Sequence, residues 1–192
     1  MPHRDDHEEN VCKKEDRYGE EFYYKILNKN RYILLYDIIG PASADILVSK
    51  IKTMNMLDVK KEIIIEINSP GGDVSCGFSI INAIEQSKAP IHTIISGSCC
   101  SMAALISVTG TKRSIYYNSY WMNHPLSEGQ ADYLQFIKDR TRFLIHLDMV
   151  TDNILKKYTK LTRQDLRKIS TGELWLSATD CLRKGIVDKI IK

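Results

Sequence analysis

The stretch Ile63-Ile64-Ile65-Glu66-Ile67-Asn68-Ser69-Pro70-Gly71-Gly72-Asp73-Val74 decides the fold. Its apolar first half reads as a buried strand, Ser69-Pro70-Gly71-Gly72 as a tight turn, and Val74 to Ile84 as the helix that follows. A glycine pair at such a turn lets the backbone adopt φ > 0 and approach a ligand closely. A second strand is expected at Ile91 to Ile95. The chain then passes through Gly97-Ser98-Cys99-Cys100 to Ser101, which opens a helix running to Val108. The free N–H groups of a helix start stabilise an oxyanion, so one turn supplies donors and the other a candidate nucleophile. Ser101 is then expected beside Gly71-Gly72, with the N–H groups of Gly72 and Met102 converging. That pairing weighs against the ordinary role of a serine at this position, which is to cap the helix.

Outward from this centre the β-then-α step recurs. Tyr32 to Tyr36 reads as a strand and Ser43 to Met56 as a helix with Ile46, Leu47, Ile51 and Met54 on one face. Strand-like Arg113 to Tyr117 and Tyr120 to Met122 precede a long helix, from Ala131 to about Tyr158, able to project and pack on a neighbour. Thr162 with Asp165 and Ser177 with Asp180 resemble acidic variants of the capping box, and Gly185 sits where a helix stops before a strand from Ile186 to Ile191. Such alternation implies crossover connections and a largely parallel sheet. The expected class is α/β, with residues 22–192 one domain and 1–21 a charged segment without fixed structure.

Composition bounds the partners. Its 27 basic and 24 acidic residues are mixed along the chain and leave only +3, which is no footprint for nucleic acid or a membrane surface. Five cysteines form no metal-ligand spacing, which fits a reduced compartment and gives no reason to expect a metal. No run is long enough to span a bilayer, so a soluble protein is expected. Abundant Lys, Asn, Ile and Tyr hint at an AT-rich genome. His92 reads as a packed or edge histidine, His146 as a surface or interface residue, and Cys99 and Cys100 as small core residues.

Ile67-Asn68-Ser69-Pro70-Gly71-Gly72-Asp73-Val74 and Gly97-Ser98-Cys99-Cys100-Ser101-Met102-Ala103-Ala104, at an ungapped separation, resemble the proteolytic subunit of the Clp protease family. The similarity continues through Asn118-Ser119, Met122-Asn123-His124-Pro125, Gly129-Gln130-Ala131, Leu176-Ser177-Ala178 and Gly185-Ile186-Val187-Asp188, covering Tyr32 to Ile191. It implies a ClpP/crotonase-like fold with a protruding handle helix, a serine endopeptidase chemistry with nucleophile Ser101 and oxyanion donors Gly72 and Met102, and no cofactor in this chain. It also implies a homo- or hetero-heptameric ring, an AAA+ unfoldase partner that spends the ATP, and unfolded proteins as substrates. The compartments it suggests are a bacterial-type cytosol, a mitochondrion or a plastid, and the composition leans towards a plastid-type organelle (apicoplast or chloroplast).

The chain departs from the family pattern at four places. Met122-Asn123-His124-Pro125 is one residue short of the family's histidine run: His124 is the base if Met122 sets the register, and Asn123 holds that position if Pro125 does. Counting back from Leu176-Ser177-Ala178 puts Ile169 at the aspartate position, with Glu173 and Asp165 as nearby carboxylates. A glycine-rich segment after Pro125 is shortened to Leu126-Ser127-Glu128. Glu66 stands where the resemblance places an aromatic of the ATPase-docking pocket. These changes suggest a non-catalytic (ClpR-type) subunit kept for assembly. An active peptidase, or a crotonase-like acyl-CoA enzyme of the same general fold, are the alternatives.

Overall fold

In the computed structural model, which describes residues 19–127 and 133–192, strand β2 (Ile63–Ser69) buries alternate side chains, with Ile63, Ile65 and Ile67 fully inside. That face is covered by α2 (Pro41–Leu57), through Leu47, Ile51 and Met54, and by α3 (Val74–Glu85), through Ile80, Ile81 and Ile84. Helix α1 (Glu20–Lys29) leads into β1 (Tyr32–Leu35), which pairs with β2. β3 (Ile91–Cys100), α4 (Met102–Val108), β4 (Lys112–Tyr116) and β5 (Tyr120–Asn123) follow. The chain continues through α5 (Leu134–Tyr158), α6 (Arg163–Thr171), β6 (Leu174–Ser177), α7 (Ala178–Arg183) and β7 (Lys189–Ile191).

The sheet runs β1-β2-β3-β4-β7, all parallel, with β5 parallel to the end of β3 and β6 antiparallel to β5. The expected α/β class with crossover connections is the one observed. β3 does the work of two strands. His92 to Ile95 pair with β4, and Ser98 to Cys100 pair with Tyr120 to Met122 of β5. This corrects the expected end near Ile95: Gly97 and Ser98 lie within the strand, and the turn falls at Ser101 itself. Asn68 explains Gly97, because its Oδ1 accepts from the Ser98 N–H at 2.9 Å where a Cβ on Gly97 would intrude.

Other boundaries move for local reasons. α2 starts at Pro41, whose fixed φ suits a first helical turn, and Ser43 accepts from the Gly40 N–H at 3.0 Å. The final strand begins at Lys189 rather than Ile186, because the Ile186 N–H is spent on the Cys181 carbonyl at 2.9 Å, closing α7. Both capping boxes form as read, and Gly185 takes φ 65. Helix α1 and strand β6 were not foreseen. Most of the expected N-terminal charged segment, the expected helix start at Ala131, and Gly129-Gln130-Ala131 lie outside the described residues.

Candidate functional site

Gly71 and Gly72 both adopt positive φ, 96° and 149°, as the turn after β2 requires. A bridge from Ile39 fixes the turn from one side: the Ile39 N–H donates to Gly71 O and the Asp73 N–H to Ile39 O, each at 2.8 Å. In a parallel bridge the N–H of the central residue, Gly72, points away from its partner. On the other side lies the Ser101 turn, since a Cβ on Gly71 would sit 2.6 Å from Cys100 O and 2.9 Å from Met102 N. The two turns that the sequence reading paired are therefore in contact.

Ser101 has φ 55 and ψ −123, a backbone state that non-glycine residues rarely hold and that costs about 1–3 kcal/mol. The strain is fixed at both ends. Its N–H donates to Met122 O at 2.9 Å, and its carbonyl accepts from Ala104 and Leu105 at 3.0 and 3.3 Å. Its hydroxyl makes no cap hydrogen bond, so the ordinary capping role does not apply. A serine held on a strained strand-to-helix turn is the arrangement that presents Oγ to a ligand.

Ser101 opens on a cavity of about 20 Å³, room for roughly one water, lined also by Met102, Asn123, His124, Asp148 and Ile169. Asn123 ends β5 opposite Leu174 and is buried, whereas His124 lies just past the strand. Both candidates for the base position thus face the cavity. The Asn123 side-chain oxygen accepts from the His124 N–H at 2.8 Å. His124 Nδ1 is 2.7 Å from Pro125 O, and a carbonyl only accepts, so Nδ1 is the donor there and, in the neutral imidazole, Nε2 is the acceptor. That is the tautomer a general base needs.

No carboxylate is hydrogen-bonded to that imidazole among the described residues. Ile169, on α6, is only 6% exposed and contributes hydrocarbon to the cavity. Asp165 is engaged elsewhere: it closes the Thr162 cap and meets Lys184 Nζ at 2.7 Å. Burial alone would raise its carboxyl, but the Lys184 and Thr162 hydrogen bonds outweigh this and hold it below its ordinary value. Glu173 accepts from the Trp175 indole at 2.8 Å. The residues missed in the sequence are Asp148, Thr151 and Asp152, which α5 turns to the cavity on one face by i, i+3, i+4 spacing. Burial, then the nearby Asp152 charge, raises the Asp148 carboxyl.

Outside the cavity, His92 Nε2 lies 2.8 Å from Ser114 Oγ, and burial lowers the ring's pKa. Burial pushes the Cys99 and Cys100 thiols up and Cys181 to about 12, so these are packed thiols and poor nucleophiles. His146 is exposed on α5, next to Phe143. Glu66 accepts hydrogen bonds from the hydroxyls of Tyr32 and Tyr36 on the outer sheet face. Among the described residues no three His, Cys, Asp or Glu side chains converge as metal ligands, and no helix is long and apolar enough to cross a membrane.

A strained serine at a helix start, pressed against a diglycine turn and sharing a cavity with a histidine on a mainly parallel sheet, is an α/β arrangement suited to acyl transfer. The family model described as Clp protease matches residues 15–192, and the chain belongs to that family. Membership implies a proteolytic-core subunit of an oligomeric ring that works with Clp ATPases, in a family not known to need a cofactor.

Proposed function

We propose that this chain is a catalytically impaired subunit of the proteolytic core of an ATP-dependent Clp-type protease, contributing to a heptameric ring more than to peptide cleavage. Ile169 carries this reading. It lines the cavity shared by Ser101 and His124 at the position where the family resemblance places the triad acid. Pro125 O orients the imidazole but brings no charge to stabilise its protonated form. In a well-studied triad protease, loss of that carboxylate costs about 10⁴-fold in rate. Gly72 and Met102 retain the oxyanion role, and substrates are unfolded polypeptides delivered by an AAA+ unfoldase. A plastid-type organelle is the compartment this reading favours, which organelle fractionation tests.

The strained, uncapped Ser101 favours a second reading, an active serine endopeptidase with His124 as base. A fluorophosphonate probe with intact-mass readout separates the two. The impaired reading expects little or no adduct in protein that assembles into rings. Stoichiometric labelling that disappears in Ser101→Ala would establish the active enzyme instead.

A further inference from the structure

A second cavity, of about 440 Å³, adjoins the Ser101 cavity and shares Asp152 and Ser170 with it. Its floor is apolar, from Leu161 and Leu166, and its rim is cationic, from Lys156, Arg163 and Arg167. Lys156 is taken up by Asp152 at 3.3 Å. Arg163 and Arg167 have no carboxylate partner among the described residues. They stand four residues apart on α6 and therefore on one helix face. The N-terminus of that helix is already satisfied by the Thr162–Asp165 box, so the guanidinium pair, not the helix end, supplies the positive field. A cavity of this size admits several side chains, and paired guanidinium groups suit carboxylates, the anionic side-chain groups of an unmodified polypeptide.

We infer that this basic cavity is a subsite for acidic residues of an extended polypeptide whose neighbouring segment lies over Ser101. The inference rests on the proposed role of the surface around Ser101 as a polypeptide site, since the adjacency of the two cavities, which share Asp152 and Ser170, is what selects a polypeptide over a free anion. It makes the site charge-selective: Glu- or Asp-bearing segments are retained beside Ser101, and neutral ones slip past.

Fluorescence anisotropy on the full chain tests this without any turnover. The probes are a labelled extended peptide with several spaced Glu residues and its Gln counterpart, at low ionic strength where the Debye length exceeds roughly 10 Å. Expected is about tenfold tighter binding of the Glu peptide, abolished in Arg163→Gln/Arg167→Gln and unchanged in Arg142→Gln, whose side chain lies on α5 beside Asp139. Lys156→Gln, a change on a different helix, is expected to lower the preference about twofold. Equal or absent binding of the two peptides, or a preference that survives the double substitution in protein with an unchanged melting curve, would overturn the inference. So would complete displacement of the Glu peptide by inorganic phosphate at matched charge, which would make the cavity a small-anion site. Labelling of Ser101 by fluorophosphonate would overturn the impaired-subunit reading while leaving this binding difference in place, so the two fail separately.

Discussion

On the proposed reading, the side chain at Ile169 is what separates an oriented histidine from an activated one. Pro125 O selects the tautomer of His124 through Nδ1, but a neutral carbonyl stabilises the imidazolium far less than a carboxylate would. Ile169→Asp is therefore expected to raise the fluorophosphonate labelling rate of Ser101 by about 10–100-fold, with Ile169→Asn giving no such rise because it adds polarity without charge. The same substitution removes a core side chain and buries a carboxyl, so urea titration is expected to show a loss of about 2–4 kcal/mol. An unchanged labelling rate in folded Ile169→Asp protein would show that the missing acid is not what limits Ser101. Gly71, Gly72 and Ser101 were legible in the sequence because diglycine turns and helix starts have strong local signatures. Asn123 and His124 could not be ordered from spacing alone, and Asp148 was invisible because only the packing of α5 brings it to the cavity.

Between elements, what was legible followed how local each stabilising interaction is. The Thr162–Asp165 and Ser177–Asp180 boxes are contained within four residues, and both were read correctly. β6 is four residues long, alternates only Leu174 and Leu176 inward, and exists through its antiparallel pairing with β5, a partner about fifty residues away. α1 has exposed Phe22, Tyr23 and Tyr24 on its surface and gives no clean apolar stripe. Asp165 joins a local signal to a distant one, since it caps α6 and also holds Lys184 at the end of α7. Its carboxyl is depressed in the folded state, so its contribution is complete above the unfolded value near pH 4 and is lost as pH falls through the lower folded value. Asp165→Asn is accordingly expected to cost about 1–2 kcal/mol at pH 7 in urea titrations, with the gap to the unsubstituted protein closing in acid as pH falls through the depressed folded value. A gap that persists undiminished there would assign the effect to packing rather than charge.

Across the whole molecule, α5 is held firmly at one end and presents apolar surface along much of its length. Arg113 donates to Tyr158 O at 2.5 Å and Lys157 meets Glu85 at 2.8 Å, fixing its last turn to the body. Towards its other end Phe136 and Phe143 are 55% and 60% exposed, seven residues apart and so on one face. Rings of that size in water favour burial, and no element among the described residues covers them, so a second subunit of the proposed ring is the surface that would. Phe136→Glu/Phe143→Glu places two charges on that face without disturbing the core. It is expected to leave the secondary structure seen by circular dichroism intact while the native mass falls from the ring, about 154 kDa as seven copies of the 22.0 kDa chain, to that of the single chain. Retention of the ring by the doubly charged protein would show that α5 is not the element that joins subunits, and would move the search for that contact to the outer sheet face around Tyr36 and Glu66.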